Sequence, residues 1–116
     1  MSDTTTPADP LPLQIDVREL ARWRDGGVVH AILDVREPWE TEICLIPGSL
    51  CVPLGQIPTA ADRIPGDRPV AVTCHHGMRS MQAVAWLRRN GYDNVTNLAG
   101  GVDAWARQID PSMNVY

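Results

Sequence analysis

The sequence predicts a single α/β domain built around a largely parallel sheet, and three observations support this class. Short β-branched runs alternate along the chain with segments whose apolar residues recur at helical spacing. The strand-like runs are continuously apolar, which is typical of strands buried on both faces. At 116 residues and 44% hydrophobic content, the chain has enough apolar material for one core but not for two.

The first elements follow from local signals near the beginning of the chain. Residues 1–12 contain Thr, Asp and Pro without apolar periodicity, so we expect a flexible tail there and a domain that begins near Leu13. Asp16 is the expected N-cap of a first helix, which ends at Asp25-Gly26-Gly27. The apolar run from Val28 to Val35 predicts a strand buried on both faces.

The central region is divided by prolines. A helical turn is expected after Pro38, because proline is favoured at the first helical position. Ile46-Pro47-Gly48 predicts a turn before a brief strand around Ser49 to Val52, and short helical pieces should follow. A second buried strand is predicted over Pro69 to Thr73, and it leads directly into Cys74.

The remaining elements continue the alternation. Ser80 to Asn90 is predicted as a helix, and Val95 to Leu98 as a strand. Gly100-Gly101 should open a last helix. We therefore place the domain at residues 13–110 and treat residues 111–116 as a C-terminal tail.

Composition argues against several classes of function. The net charge is −4, the pI is near 5.2 and no cluster of Lys and Arg occurs, so a nucleic-acid partner is not expected. No signal-like segment or long apolar run indicates export or membrane insertion. Three cysteines, Cys44, Cys51 and Cys74, form neither a paired disulfide pattern nor a zinc motif, so a reducing, cytoplasmic setting is expected.

The main candidate for a catalytic residue is Cys74, which lies between a predicted buried strand and a predicted helix. Ligands of α/β sheets gather at the carboxyl ends of strands. The N–H groups from His75 to Ser80 can turn inward as an anion-binding nest, and Gly77 allows close backbone approach. Arg79 adds a permanent positive charge and Ser80 a hydroxyl donor. Each group favours a thiolate on Cys74, so the sequence predicts a reactive cysteine.

Four segments resemble the single-domain rhodanese family. The loop Cys74-His75-His76-Gly77-Met78-Arg79-Ser80 is similar to that family's active-site loop, and Leu33 to Glu37 to its Asp-Val-Arg motif. Ile46 to Ser49 and Leu98 to Trp105 resemble its turn and its closing Gly-Gly and Ala-Trp motif. The resemblance implies a five-stranded, mostly parallel sheet flanked by helices on both faces.

The resemblance also implies a double displacement. Sulfur would move from thiosulfate or a related donor to Cys74 as a persulfide, and then to cyanide or a thiol. The six residues after Cys74 would bind the donor, and Arg79 would attract its charge; no metal or organic cofactor is implied. Leu45 stands where the family often has a histidine before the Ile-Pro-Gly turn, but the turn itself is kept. Some thiosulfate-preferring relatives carry Arg or Lys where His75 and His76 stand, so the resemblance leaves the sulfur donor open.

The sequence alone allows two different roles for each of several residues. Asp34 either orients the loop or forms a structural hydrogen bond with Arg36 or backbone. Arg79 either binds the donor or braces the loop, and Ser80 either caps the helix or hydrogen-bonds to sulfur. Cys51 is either an ordinary buried thiol or a resolving partner of Cys74.

Three other functions compete with small-molecule sulfur transfer. Cysteine phosphatases and arsenate reductases place five residues between Cys and Arg, whereas four separate Cys74 from Arg79. A non-catalytic interaction module is a further alternative, although the cysteine is intact. Asp110-Pro111-Ser112 and Tyr116 resemble the tails of rhodanese domains in sulfur relays, which would make a thioredoxin-like or relay protein the partner. We expect a monomer or a weak dimer.

Overall fold

The computed structural model describes residues 11–116 and confirms the α/β class. The strands are β1 Gln14–Ile15, β2 Ala31–Asp34, β3 Leu50–Cys51, β4 Val70–Thr73 and β5 Val95–Leu98. The helices are α1 Val17–Asp25, α2 Pro38–Ile43, α3 Ile57–Ala60, α4 Met78–Arg89 and α5 Gly101–Gln108, with 3₁₀ turns at Leu54–Gln56 and Ala61–Arg63. All strand pairs are parallel, in the order β1-β5-β4-β2-β3, as the resemblance implied.

The sheet separates two hydrophobic cores, so helices cover both of its faces. Alternate residues of the central strand β4 point to opposite sides: Val70 and Val72 belong to the core under α4, and Ala71 to the core under α1 and α5. All four residues of β4 are buried. This double burial explains the continuous apolar character of the strand.

The topology brings the ends of two central strands together. In the pairing of β2 with β4, Asp34 lies opposite Thr73, the last residue before Cys74. Val35 donates its N–H to the carbonyl of Thr73 at 3.0 Å and so continues the ladder by one step. The Asp34 and Cys74 motifs therefore lie at the same carboxyl edge of the sheet, where ligands of such folds bind.

Some predicted boundaries were wrong. The strand predicted from Val28 begins at Ala31, because Val28 donates its N–H to Trp23 at the end of α1 and Val29 is 65% exposed. Helix α4 begins two residues before Ser80, since Gly77, with φ of +108°, already occupies the N-cap position. Strand β1 was not assigned from local pattern because it has only two residues.

Both ends of the described chain pack on the domain. Residues 1–10 of the predicted N-terminal tail lie outside the described residues, but the carbonyls of Leu11 and Pro12 accept hydrogen bonds from Arg88. In the predicted C-terminal tail, Met113 and Tyr116 pack against the core under α1 and α5. Within residues 11–116, no helix has the length and apolar character needed to cross a membrane.

Candidate active site

Cys74 lies directly after β4, at the bottom of a tight loop that leads into α4. The residue is 1% exposed. Its Sγ accepts a hydrogen bond from the Gly77 N–H at 3.0 Å, and the Ser80 hydroxyl lies 3.3 Å away. The loop therefore surrounds the sulfur with donors, as the sequence predicted for an anion-binding nest.

These donors control the ionisation of the thiol. Burial alone raises the pKa of Cys74, but hydrogen bonds from the Ser80 hydroxyl and from the N–H groups of Ser80, Gly77 and His76 outweigh it and hold the pKa below the ordinary value. The thiolate is the nucleophilic form of cysteine. The loop therefore favours the thiolate form of this buried sulfur more than an ordinary cysteine environment does.

Ser80 acts on the sulfur from inside the first turn of α4 and is not the N-cap. The Ser80 hydroxyl oxygen lies 3.3 Å from Sγ of Cys74 and 2.5 Å from Oδ1 of Asn97 in β5, so its one proton is shared between these two acceptors. Asn97 in turn donates from Nδ2 to the Gly77 carbonyl at 3.2 Å. Asn97 was not predicted as a site residue, because its partners are distant in sequence and nothing local to β5 signals the contact.

The beginning of α5 holds the loop from the other side. Val102 donates its N–H to the Cys74 carbonyl at 2.9 Å, and Asp103 donates to the His75 carbonyl at 3.1 Å. Gly101 makes this approach possible, since a Cβ there would overlap both carbonyls. The Gly-Gly motif is therefore part of the active-site framework.

Arg79 braces the loop by pairing with Glu40 of α2. Its two terminal nitrogens donate to the two carboxylate oxygens at 2.7 and 2.8 Å. The hydrogen bonds from Arg79 outweigh the effect of burial and lower the pKa of Glu40 to about 2. Glu40, which is 3% exposed, was absent from the predicted site because it lies 39 residues from Arg79.

Asp34 and Arg36 form a fully buried ion pair. Of the two roles that the sequence allowed for Asp34, this is the structural one. Arg36 donates from Nη2 to Oδ2 of Asp34 at 2.7 Å and to the Cys44 carbonyl at 2.8 Å. Its Nη1 donates to the phenol oxygen of Tyr116 at 3.0 Å. These hydrogen bonds connect the end of β2 to the end of α2 and to the C-terminal segment. Cys74 is not one of their partners among residues 11–116.

Tyr116 connects this ion pair to the loop. Its ring stacks on that of His75 with centroids 3.8 Å apart and planes 3° apart, and its hydroxyl donates to Oε2 of Glu40 at 2.7 Å. Burial, together with the nearby His76, lowers the pKa of His75. The His75 ring is therefore a neutral, fixed wall of the site at pH 7.

The outer residues of the loop are open to solvent. The His76 side chain is 62% exposed, with Nδ1 3.9 Å from Oδ2 of Asp103, and Met78 is 79% exposed. Potential ligand atoms of His75, His76 and Asp103 lie within 4.8 Å of one another, so these are the residues that could hold a metal. The two imidazole rings are tilted against each other, with centroids 4.0 Å apart and planes 31° apart.

The other cysteines differ from each other. Cys44 is buried, and its sulfur lies 3.6 Å from Nη1 of Arg36. Cys51 lies on the edge strand β3 and is exposed, so the expectation of ordinary burial was wrong. Partial desolvation and the nearby Asp34 raise the pKa of Cys51, which makes it a weaker nucleophile than Cys74 at neutral pH.

Comparison with known proteins finds relatives that contain rhodanese-like domains or carry sulfurtransferase names. A family model described as a rhodanese-like domain matches residues 16–108. The chain is 36% identical over 104 residues to the probable adenylyltransferase/sulfurtransferase MoeZ of Mycobacterium tuberculosis, which covers 88% of the chain and 26% of that protein. It is 45% identical over 76 residues to a sulfurtransferase of Allochromatium vinosum, covering 66% of the chain and 71% of that protein. The chain thus spans about a quarter of the MoeZ length.

Solved structures show the same fold. Reduced Bacillus anthracis CoADR-RHD superposes with a TM-score of 0.76 at 31% identity, covering 89% of this chain and 18% of that one. SSP1007 from Staphylococcus saprophyticus superposes with a TM-score of 0.75 at 31% identity, covering 87% and 97%. Because the family model covers residues 16–108, these matches show that the chain belongs to the rhodanese-like domain family.

Proposed function

We propose that the chain takes a sulfane sulfur from thiosulfate or a related donor, holds it as a persulfide on Cys74, and passes it to cyanide or a thiol. The observation that carries this proposal is the ring of donors around Sγ, above all the Gly77 N–H at 3.0 Å and the Ser80 hydroxyl at 3.3 Å. The nest fits a sulfur anion.

The chemistry is a pair of nucleophilic displacements. The Cys74 thiolate attacks the outer sulfur of the donor, and the sulfur–sulfur bond of the donor breaks with its electron pair on the leaving group, sulfite in the case of thiosulfate. The loop N–H groups stabilise the negative charge of the resulting persulfide. An acceptor then attacks the outer sulfur and regenerates the thiolate, so no net oxidation occurs and no cofactor is required.

Steady-state kinetics test this proposal. With thiosulfate and cyanide varied together, a covalent intermediate predicts parallel double-reciprocal lines for thiocyanate formation. Cys74→Ser should abolish the activity, whereas Cys51→Ser should retain it. Intersecting lines together with turnover by Cys74→Ser would overturn the proposal.

A relay between proteins is the second candidate. The names of two relatives, MoeZ and the Zea mays adenylyltransferase and sulfurtransferase MOCS3-1, pair sulfur transfer with adenylylation, and the latter match covers the whole chain at 31% identity. The donor and acceptor would then be proteins met in a reducing compartment. Faster loss of the Cys74 persulfide to a thioredoxin-like protein than to an equal concentration of cyanide would favour the relay; the reverse order would favour the small-molecule reaction.

A further inference from the structure

Glu40 is a buried acid that the persulfide chemistry does not use. Its side chain is 4% exposed, and each carboxylate oxygen accepts two hydrogen bonds. Oε1 accepts hydrogen bonds from Nη1 of Arg79 at 2.7 Å and from the Glu37 N–H at 3.1 Å. Oε2 accepts hydrogen bonds from Nη2 of Arg79 at 2.8 Å and from the Tyr116 hydroxyl at 2.7 Å. The carboxylate is therefore fixed in place.

This pairing changes what the loop presents to a donor. Arg79 is the only Lys or Arg between Cys74 and Ser80, so it is the only permanent cation that the loop could offer. Both of its terminal nitrogens are committed to Glu40, although its side chain is 35% exposed. A bidentate pair cancels most of the field that a free guanidinium would exert on an approaching dianion.

The neighbouring histidines do not supply a second permanent cation. His75 is stacked between Tyr116 and His76, and burial disfavours its protonated form. His76 lies beside Asp103, whose carboxylate also pairs with Arg107. The entrance to Cys74 thus offers backbone N–H donors and imidazole rings in place of a free guanidinium group on the loop.

We infer that Glu40 determines donor specificity: by holding Arg79 it selects an organic persulfide of at most one negative charge over the thiosulfate dianion. The inference rests on the proposed function and narrows its donor class. The Cys74 thiolate attacks the terminal sulfur of R–S–SH, the sulfur–sulfur bond of the donor breaks, and R–S⁻ leaves with the electron pair. Cys74–S–SH retains the hydrogen of the transferred sulfur, R–S⁻ takes a proton from water, and no external oxidant is needed.

The test compares kcat/KM for thiosulfate and for a small uncharged alkyl persulfide generated in the assay, with the same thiol acceptor. Glu40→Gln preserves the size of the side chain and its bond to the Glu37 N–H, because Gln also serves in a capping box. It removes the charge that cancels Arg79. We expect kcat/KM for thiosulfate to rise by about tenfold and to become more salt-dependent, and the value for the persulfide to change by less than about twofold.

Two controls identify the source of the effect. Glu42→Gln removes one charge from an exposed position of α2 and should leave the ratio of the two donors unchanged. Arg79→Gln added to Glu40→Gln should abolish the gain for thiosulfate, because the freed cation is then absent. An unchanged donor ratio in folded Glu40→Gln, or a gain that persists without Arg79, would overturn the inference.

The wild-type chain supplies an independent arm should the variants fail to fold. We expect the wild-type kcat/KM to be higher for the alkyl persulfide than for thiosulfate. A wild-type preference for thiosulfate would overturn the inference. Failure of both donors to load Cys74 would instead overturn the proposed function, so the two failures are distinguishable.

Discussion

At Cys74, burial and hydrogen bonding act in opposite directions on one sulfur atom. Burial favours the neutral thiol, because a charged sulfur loses its hydration in the interior. The hydroxyl of Ser80 and the N–H groups of the loop replace that hydration with fixed donors. The pKa falls because the donors outweigh the burial, and the same donors remain in place when the sulfur becomes a persulfide.

Ser80→Ala tests this balance. The variant removes the side-chain donor and should raise the pKa of Cys74 by about one to two units, since a hydrogen bond to a charged group contributes about 1.5–3 kcal/mol. The pH dependence of alkylation by iodoacetamide measures this value. Ser49→Ala is the matched control, because the Ser49 hydroxyl donates to the Ile46 carbonyl away from the loop. Identical alkylation profiles for Ser80→Ala and wild type would contradict the assignment.

The helix α5 and the Cys74 loop behave as one packed unit. The first N–H groups of α5 bond to loop carbonyls, and the backbones approach so closely that only glycine fits at position 101. Gly101 also has a positive φ of 59°, which disfavours any side chain. The position of α5 therefore helps to define the shape of the nest.

Gly101→Ala should separate α5 from the loop. We expect a loss of about 3 kcal/mol in the free energy of unfolding, from steric overlap as well as backbone strain. Gly91→Ala isolates the second cause, because Gly91 has φ of +93° but a Cβ added there would meet no neighbouring atom within 4 Å; its loss should be about 1–2 kcal/mol. Urea denaturation measures both values, and equal losses would show that close packing at Gly101 contributes nothing.

Local sequence signals predicted most of the elements and singled out the Cys74 loop, but they indicated neither strand β1 nor the supporting side chains. Cys74, Gly77 and Ser80 lie within seven consecutive residues, so their chemistry could be inferred from one short loop. Glu40 and Asn97 act on that loop from 39 and 17 residues away, which no local pattern encodes. Similarly, the run at Val28 looked like the start of a strand because β-branched residues also occur in exposed connections.

Across the whole molecule, a chain of polar contacts joins the sheet, α2, the C-terminal segment and the active-site loop. The buried pair of Asp34 and Arg36 bonds to the Tyr116 phenol, which bonds to Glu40, which holds Arg79. Burial and the bond to Glu40 raise the pKa of Tyr116 to about 12, so the phenol stays neutral and able to donate. The segment predicted as a tail is therefore part of the support of the site.

The network predicts a specific acid sensitivity. Pairing with Arg79 lowers the pKa of Glu40 from 4.5 to about 2. The contribution of the ionised Glu40 to the free energy of unfolding is therefore complete above pH 4.5 and is lost as the pH falls toward 2. The free energy of unfolding of wild type should exceed that of Glu40→Gln by a margin that shrinks by about 3 kcal/mol over this range. Arg79→Gln should show the same reduced pH dependence, whereas a margin that is constant from pH 6 to pH 2.5 would contradict the pairing.

The proposed sulfur transfer requires that Cys74 carry a sulfur atom. Intact-mass measurement after incubation with a sulfane sulfur donor, thiosulfate or an alkyl persulfide, tests this claim without any assumption about the acceptor. We predict a gain of one sulfur on the wild-type chain and on Cys51→Ser, its removal by cyanide, and no gain on Cys74→Ser. The absence of any adduct with either donor, or an adduct that persists in Cys74→Ser, would contradict sulfur transfer through Cys74.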